Sequence, residues 1–323
     1  MVKNTLTVLM GISPGARLKT LSPLPASWQK LLSRALWSEA GLSAEQTLLQ
    51  LTGQSTDVSM AALSWSGDDM PETGKIVLRA DPVCLIPNRE HLTMMPGDQL
   101  RISLAEATAL IEALNEHFRE DPVSFEFSTP DCWYCCCDTR PDISSVPLPQ
   151  AAGRNLQTLL WQGADKAQWH SWWNEIQMLF HSHPVNMARE SQGLPAINGL
   201  WFWGEGSQPV KRQHSDMTIF TDSRMGHGLV NFAAADRKSV SGDFAMLADY
   251  GSDKAVLDLV DDIEVDFASL GDALINWLRK SGDRQLKIVI DGAGSYTLRP
   301  GMLKKFWRRR VQGIKQQGMK NDA

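Results

Sequence analysis

The sequence predicts an α/β protein with a doubly wound sheet, into which a smaller α+β module is inserted. Short apolar runs alternate with segments of helical periodicity near both ends of the chain. The apolar run 286–290 ends in Asp291-Gly292, which is typical of a polar residue at the carboxyl edge of a parallel sheet. Between these ends, residues 75–140 contain a strand, a helix and two further strands. We therefore assign 1–74 and 141–323 to the α/β core and 75–140 to the insert.

The core begins with a strand followed by two helices. The apolar run 6–10 ends at a turn-rich junction and predicts the strand. Apolar residues recur at helical spacing over 27–37, and Ser43 followed by Glu45 and Gln46 is typical of a capped helix start. This alternation is expected of a layered α/β sheet.

The predicted insert begins with a strand at 76–83. The helix at 103–118 starts with a capping-box pattern of Ser and Glu, and paired strands are predicted at 124–127 and 133–137. Three adjacent cysteines lie in the last of these strands. Because neighbouring residues of a strand point to opposite faces, this run favours buried thiols over a zinc cage.

The rest of the core is predicted to contain both helices and strands. A broad apolar stripe predicts a helix at 167–181, and a short helix is expected at 156–163. Short apolar runs predict strands at 217–220 and 229–232, and helical spacing predicts a helix at 267–280.

Composition and charge narrow the possible classes of partner. With 43% hydrophobic and 21% charged residues in 323, the chain is typical of globular proteins. A net charge of -5 gives no electrostatic reason for general nucleic-acid binding. The basic segment 304–310 is a local exception, because its aromatic residues lie among lysines and arginines that could contact RNA or DNA. A solvated helix end is the alternative interpretation of that segment.

The N-terminal apolar run is too short to span a membrane, and it is not flanked like a signal peptide. We therefore expect a cytoplasmic protein with no membrane partner.

The segment 181–206 contains two histidines, two asparagines, an arginine and two tryptophans. Its pattern is His183-Pro184-Val185-Asn186, Arg189 and Gly193, followed by Ala196, Asn198, Trp201 and Trp203-Gly204-x-Gly206. These residues resemble the signature of the archaeal-type, cofactor-independent phosphoglycerate mutases, which are members of the alkaline-phosphatase superfamily. Residues 76–83 and 103–118 resemble the start of that family's substrate domain and its helix. The Trp-rich signature also resembles the bacterial RpfE-type regulatory family.

The resemblance implies an alkaline-phosphatase-like sheet with an inserted substrate domain, and it assigns 181–206 to substrate handling. Forked guanidinium groups bind phosphate well, so Arg79 and Arg189 are the candidate phosphate ligands. The other candidate substrate ligands on the matched segments are Asp81, His183, Asn186 and Asn198. A structural joint, in which the asparagines bind loop backbone and the tryptophans fill the core, is the alternative interpretation.

The resemblance also implies two divalent ions and a Ser or Thr nucleophile, for which Thr56 is the candidate in the tract 55–58. Where the family has its first metal ligand, in an Asp-Gly pair, this chain has Met10-Gly11, and a thioether is a poor ligand for manganese or magnesium. Histidines are absent from the sequence after His227. The remaining weak metal candidates are Asp57, His214, His227 and Asp291.

Two hypotheses follow from these residues. The preferred one is a catalytically degenerate mutase relative without cofactor, which senses a small phosphorylated acid or regulates a protein partner. The alternative is an active phosphoglycerate mutase or phosphohydrolase that holds two Mn or Mg ions in a rearranged site. The alternative requires the side chains of Thr56, Asp57, His214, His227 and Asp291 to converge.

Overall fold

The computed structural model describes residues 4–11, 18, 23–39, 41–88, 91–240, 244–247, 250, 254–260, 265–291, 293–304 and 311–314. The chain divides into two compact units, a core unit of residues 1–56 with 210–323 and an inserted unit of residues 57–209. Among the described residues, no helix is both long enough and apolar enough to cross a membrane.

The structure has mixed secondary structure in both units. The described strands are β1 (Asn4–Met10), β2 (Leu36–Ser38), β3 (Ile76–Pro87), β4 (Leu92–Pro96), β5 (Val123–Thr129), β6 (Cys132–Cys137), β7 (Gly199–Trp203), β8 (Met217–Phe220), β9 (Asp236–Lys238), β10 (Lys254–Leu259), β11 (Arg284–Ile290) and β12 (Gly294–Leu298). The described α-helices are α1 (Ala26–Arg34), α2 (Ala44–Thr52), α3 (Met60–Gly67), α4 (Leu104–His117), α5 (Leu148–Ala151), α6 (Lys166–His181), α7 (Pro184–Ser191), α8 (Arg224–Ala233) and α9 (Phe267–Arg279).

The core unit is built on a mostly parallel sheet. Its described strands follow the order β2-β12-β11-β1-β10-β8-β9, and only β12 and β2 join in antiparallel pairs. At the end of β1, Met10 is in register with Leu259 of β10 and Ile290 of β11. The carboxyl ends of these three strands therefore lie side by side, which is where open α/β sheets bind their ligands.

In the core unit, β1 is buried on both faces because helices cover the sheet. Leu6 and Val8 pack into an apolar cluster with α1 and α9, while Leu9 on the opposite face is also fully buried. Helix α2 packs on β1 and against α8. The indole of Trp28 donates a hydrogen bond to the carbonyl of Phe267 at 2.6 Å, which ties α1 to the start of α9.

The inserted unit is an antiparallel sheet with helices on one face. Its described strands follow the order β4-β3-β6-β5, and β7 also pairs with β3. Helices α4 and α6 cover one face with a single apolar cluster. This unit is wider than the predicted insert 75–140, because β7 and α6 belong to the same sheet and the same apolar core.

Some elements differ from the sequence prediction. Residues 229–232, predicted as a strand, lie in α8, because a four-residue apolar run cannot distinguish strand from helix. The helix predicted at 27–37 ends at Arg34, and the next residues form the edge strand β2. The predicted helix at 156–163 is a 3-10 turn, Leu156–Thr158. The strands β10 and β12 and the helix α7 were not predicted from the sequence.

Candidate functional site

At the carboxyl end of β1, Met10 offers no ligand for a hard metal ion. Met10 is fully buried in the apolar cluster of the core unit. The next residue must be glycine, because a Cβ on Gly11 would lie 2.0 Å from the carbonyl oxygen of Val260. The Met-Gly pair therefore serves packing at this edge.

On the neighbouring strand β10, a buried carboxylate is enclosed by hydroxyl groups. Asp258 is 2% exposed, and its Oδ2 accepts hydrogen bonds from Thr221 Oγ1 at 2.7 Å and Ser223 Oγ at 3.0 Å. Its Oδ1 accepts the backbone N–H of Val260 at 3.1 Å. A Cβ on Gly226, in the first turn of α8, would lie 2.6 Å from Asp258 Oδ2, so the helix closes over the carboxylate. We call Asp258, Thr221, Ser223, Gly226 and Val260 together the Asp258 network.

Burial raises the pKa of Asp258, although the three hydrogen bonds oppose the rise. An ion that bound Oδ2 would have to displace the two hydroxyl groups. Asp258 was not predicted as a site residue from the sequence. A lone Asp inside the apolar strand β10 could have indicated a hydrogen-bonded carboxylate, because an unpaired charge is costly in a buried strand.

The predicted metal candidates Asp291, His214 and His227 each contact a different protein group. The side chain of Asp291 accepts the backbone N–H of Ala44 at 2.7 Å and so caps α2. His214 pairs with Asp216 at an exposed site, and His227 contacts Arg237. Among the described residues, no three His, Cys, Asp or Glu side chains form a group that could hold a metal ion.

Thr56 and Asp57 are both exposed. The backbone carbonyl of Asp57 accepts the N–H of Ser207 at 2.8 Å, and Val58 forms a parallel bridge with Ser207. Gly292 and most of the basic segment 304–310 lie outside the described residues.

In the inserted unit, Arg79 lies at the centre of a polar cluster. Arg79 and Asp81 are two residues apart on β3 and so share a face of the sheet. Asp81 Oδ1 accepts hydrogen bonds from Arg79 Nη2 at 2.5 Å and Nε at 3.1 Å. Asp81 Oδ2 accepts the indole N–H of Trp203 at 2.6 Å. The Arg79 guanidinium lies 5.3 Å from the ring centre of Tyr134 and 5.4 Å from that of Trp203.

The Tyr134 ring is itself held by a carboxylate. Its hydroxyl donates to Asp68 Oδ2 at 2.6 Å, and the same oxygen accepts the hydroxyl of Ser128 at 2.6 Å. Burial raises the pKa of Tyr134, so its hydroxyl remains a neutral donor. We call Asp68, Arg79, Asp81, Tyr134 and Trp203 together the Arg79 cluster.

The charge state of Arg79 follows from its neighbours. Burial by itself lowers the pKa of Arg79, but Asp81, Cys132 and Tyr134 together outweigh that effect, and the pKa lies above its ordinary value. Nη1 makes no hydrogen bond to any described residue. It is not one of the fully buried side-chain atoms that lack a hydrogen bond in the described part of the chain. Arg79 as a whole is 8% exposed, and Nη1 is the nitrogen of its guanidinium that has no hydrogen bond to a described residue.

Arg189, the second predicted phosphate ligand, has a different environment. It is 1% exposed, and its Nη1 donates to Glu106 Oε1 at 2.9 Å. Its Nε and Nη2 donate to the carbonyl oxygens of Pro195 at 2.7 Å and Leu100 at 2.6 Å. Each of its three nitrogens thus binds a protein acceptor. We call Arg189 with these partners the Arg189 joint; a phosphate could bind there only by displacing them.

The remaining predicted substrate ligands bind backbone. Asn186 is buried, donates to the carbonyls of Phe180 and Ile197, and accepts the N–H of Ile197. Asn198 makes a reciprocal pair of hydrogen bonds with the backbone of Leu85 on β3. His183 accepts the N–H of Val185 and caps α7. These contacts match the alternative interpretation of 181–206 as a structural joint, and substrate binding by these residues stays a prediction.

No protein-family model matches the chain. The chain is 26% identical over 138 residues to a probable 2,3-bisphosphoglycerate-independent phosphoglycerate mutase of Geobacter sulfurreducens. It is 24% identical over 139 residues to a 2,3-bisphosphoglycerate-independent phosphoglycerate mutase of Methanosarcina barkeri. Each match covers 42% of this chain but only 34% and 35% of the two relatives, about a third of their length.

The predicted resemblance to cofactor-independent phosphoglycerate mutases is thereby confirmed. Among solved structures, the PH0037 protein of Pyrococcus horikoshii matches with a TM-score of 0.50 at 12% identity, over 89% of this chain and 82% of that one. A cofactor-independent phosphoglycerate mutase from Thermoplasma acidophilum has a TM-score of 0.49 at 13% identity, over 98% and 95%. The match to the Pyrococcus protein shows a shared fold, and the predicted α/β class is confirmed. The alkaline-phosphatase type stays a prediction.

Proposed function

We propose that this chain is a phosphoglycerate-mutase-like protein that no longer transfers phosphoryl groups and instead senses a small phosphorylated acid. The observation that carries the proposal is the Asp258 network beside Met10. At the sheet edge where metal ligands would be needed, one strand ends in a buried thioether, and another carries a carboxylate already bonded to two hydroxyl groups and a backbone N–H.

Two manganese or magnesium ions do not fit this set of donors. Hard divalent ions prefer carboxylate oxygens, and a thioether does not replace them. Asp258 would also have to give up its hydroxyl partners to bind an ion through both of its oxygens. Without metal ions, the hydroxyl of Thr56 has no group that lowers its pKa enough to act as a nucleophile.

The Arg79 cluster supports ligand binding better than the Arg189 joint does. All three nitrogens of Arg189 have protein acceptors, whereas Nη1 of Arg79 has none among the described residues. An arginine that is already held in place by its neighbours loses little side-chain entropy when a ligand binds. We therefore place the acid of the proposed ligand at Arg79.

The test of the catalytic half of the proposal uses the full chain. Metal content is measured after incubation with manganese and dialysis, and mutase turnover is measured with 3-phosphoglycerate in the presence of manganese. We expect no stoichiometric metal and no turnover above that of an Asp258→Asn variant. Metal-dependent turnover that Asp258→Asn abolishes would show an active enzyme and overturn the proposal.

The test of the binding half is a titration of the same protein with 3-phosphoglycerate by calorimetry. We expect saturable binding that weakens about tenfold in Arg79→Lys, because a point charge replaces a planar fork. Arg189→Lys is the matched control, and its binding should match that of the unmodified chain once folding has been verified. Equal weakening in both variants, or no binding by the unmodified chain, would contradict the proposed ligand site.

A further inference from the structure

We infer that Trp203 is a positioning residue of the proposed ligand site: its indole N–H holds Asp81 in place and so keeps Nη1 of Arg79 available to the ligand. The inference rests on the proposed function for the existence of a small acidic ligand. It gives one tryptophan of the segment 181–206 a task other than filling the core.

The register of the inserted sheet brings Trp203 to both members of the ion pair. On β7, Trp203 lies directly opposite Arg79 of β3, and Asp81 is two residues further along β3. A diagonal neighbour on the next antiparallel strand is within reach of an aromatic side chain. The centre of the Trp203 ring accordingly lies 5.4 Å from the Arg79 guanidinium, while its Nε1 donates to Asp81 Oδ2 at 2.6 Å.

The two oxygens of Asp81 are divided between these two side chains. Nη2 and Nε of Arg79 both donate to Oδ1, at 2.5 Å and 3.1 Å, whereas the described donor to Oδ2 is Trp203. An arginine and a carboxylate frequently form a fork in which each oxygen accepts one N–H of the guanidinium. Trp203 therefore takes the place of one of the two bonds of that fork.

Loss of the indole N–H would leave Oδ2 of Asp81 as a buried acceptor without a donor. Asp81 is 1% exposed, and an unsatisfied buried carboxylate oxygen is costly. In the described part of the chain, the other donor at this carboxylate is Arg79. We expect the carboxylate to turn Oδ2 toward the guanidinium, so that Asp81 competes with the ligand for the N–H groups of Arg79.

The experiment is a calorimetric titration of the full chain with 3-phosphoglycerate at about pH 8, where a histidine side chain is ordinarily neutral. Trp203→Phe keeps a ring beside Arg79 but removes the N–H, so the affinity should fall about tenfold. Trp203→His keeps an N–H donor on a five-membered ring, like that of indole. This variant should bind the ligand clearly more tightly than Trp203→Phe, although its ring is smaller.

Two further variants guard against effects on folding, which circular dichroism verifies for each protein. Trp173→Phe is the matched control, because it removes an indole N–H from another buried acceptor, the carbonyl of Leu200 at 2.9 Å. Its affinity for 3-phosphoglycerate should equal that of the unmodified chain. Trp203→Leu also lacks a donor and should weaken binding as Trp203→Phe does, so the comparison does not depend on one variant.

The outcomes separate this inference from the proposed function. Equal affinities of Trp203→Phe and Trp203→His, or an equal loss in Trp173→Phe, would overturn the inference and leave the ligand site at Arg79 standing. If the unmodified chain does not bind 3-phosphoglycerate, the proposed ligand site fails and the inference fails with it.

Discussion

The Arg79 cluster and the Arg189 joint both centre on a buried arginine paired with a carboxylate, yet they have opposite chemical character. Arg189 distributes its three nitrogens over three acceptors that hold α7 to the start of α4 and to neighbouring loops. Arg79 directs two nitrogens at one carboxylate and leaves the third without a partner among the described residues. The difference teaches that burial and an acidic neighbour do not distinguish a structural arginine from a binding arginine; the partners of each nitrogen do.

The largest effect is expected when the Arg189 joint is opened. Arg189→Ala should lower the free energy of unfolding by about 3–5 kcal/mol, because it removes the cation that binds Glu106 Oε1 and leaves two buried carbonyls without donors. Urea denaturation monitored by tryptophan fluorescence measures this. If Arg189→Ala is as stable as the unmodified chain, Arg189 is not a structural residue and the proposed difference between the two arginines is wrong.

The next effect is expected at Asn186, whose amide makes three hydrogen bonds to backbone. Asn186→Ala should cost about 2–3 kcal/mol of unfolding free energy, since a buried N–H and two carbonyls lose their partner. The same denaturation assay applies, with the exposed neighbour variant Met187→Ala as a control that should change stability little. Loss of ligand binding without loss of stability would instead indicate a substrate ligand.

At the core sheet edge, the Asp258 network offers a matched pair of variants. Asp258→Ala should destabilise the chain by about 2 kcal/mol, because two hydroxyl groups and a backbone N–H lose their acceptor. Asp258→Asn should change stability by less than about 1 kcal/mol at neutral pH, since the hydroxyl groups can rotate to accept from the amide. Thermal and urea unfolding would show the difference, and equal losses in both variants would argue against this account.

The raised pKa of Asp258 predicts a pH dependence of stability. A carboxyl that binds its proton more tightly in the folded state favours folding at low pH, and that contribution declines as the pH rises above its unfolded pKa of about 3.9. The unfolding free energy of the unmodified chain should therefore fall relative to that of Asp258→Asn as the pH rises from about 3.5 to 6. A difference that stays constant over this range would contradict the buried setting of Asp258.

A small effect on stability is expected at Arg79 itself. Arg79→Lys should cost about 1 kcal/mol, because a lysine still neutralises Asp81 but loses the side-edge pair and much of the contact with the two rings. Denaturation should place this variant well above Arg189→Ala in stability. A loss as large as that of Arg189→Ala would make Arg79 a structural residue and remove the contrast between the two sites.

Local signals in the sequence predicted many elements of the fold. The Ser103 side chain and the Glu106 carboxylate form the expected capping box at the start of α4, and Ser43 does the same with Gln46 for α2. Such caps depend on residues three positions apart, so they can be recognised in the chain itself. The short strand β10 could not be recognised in this way, because its pairing partners β1 and β8 lie far away in sequence.

The sequence by itself determined the α/β class, the resemblance to phosphoglycerate mutases and the absence of an Asp at the end of β1. Only the tertiary structure decided which arginine has an open edge, because the partners of Arg189 include Glu106 and Leu100, more than 80 residues away. The same holds for Asp258, whose hydroxyl partners come from the end of another strand. Hydrogen bonds over such sequence separations depend on the folded geometry, and no local pattern encodes them.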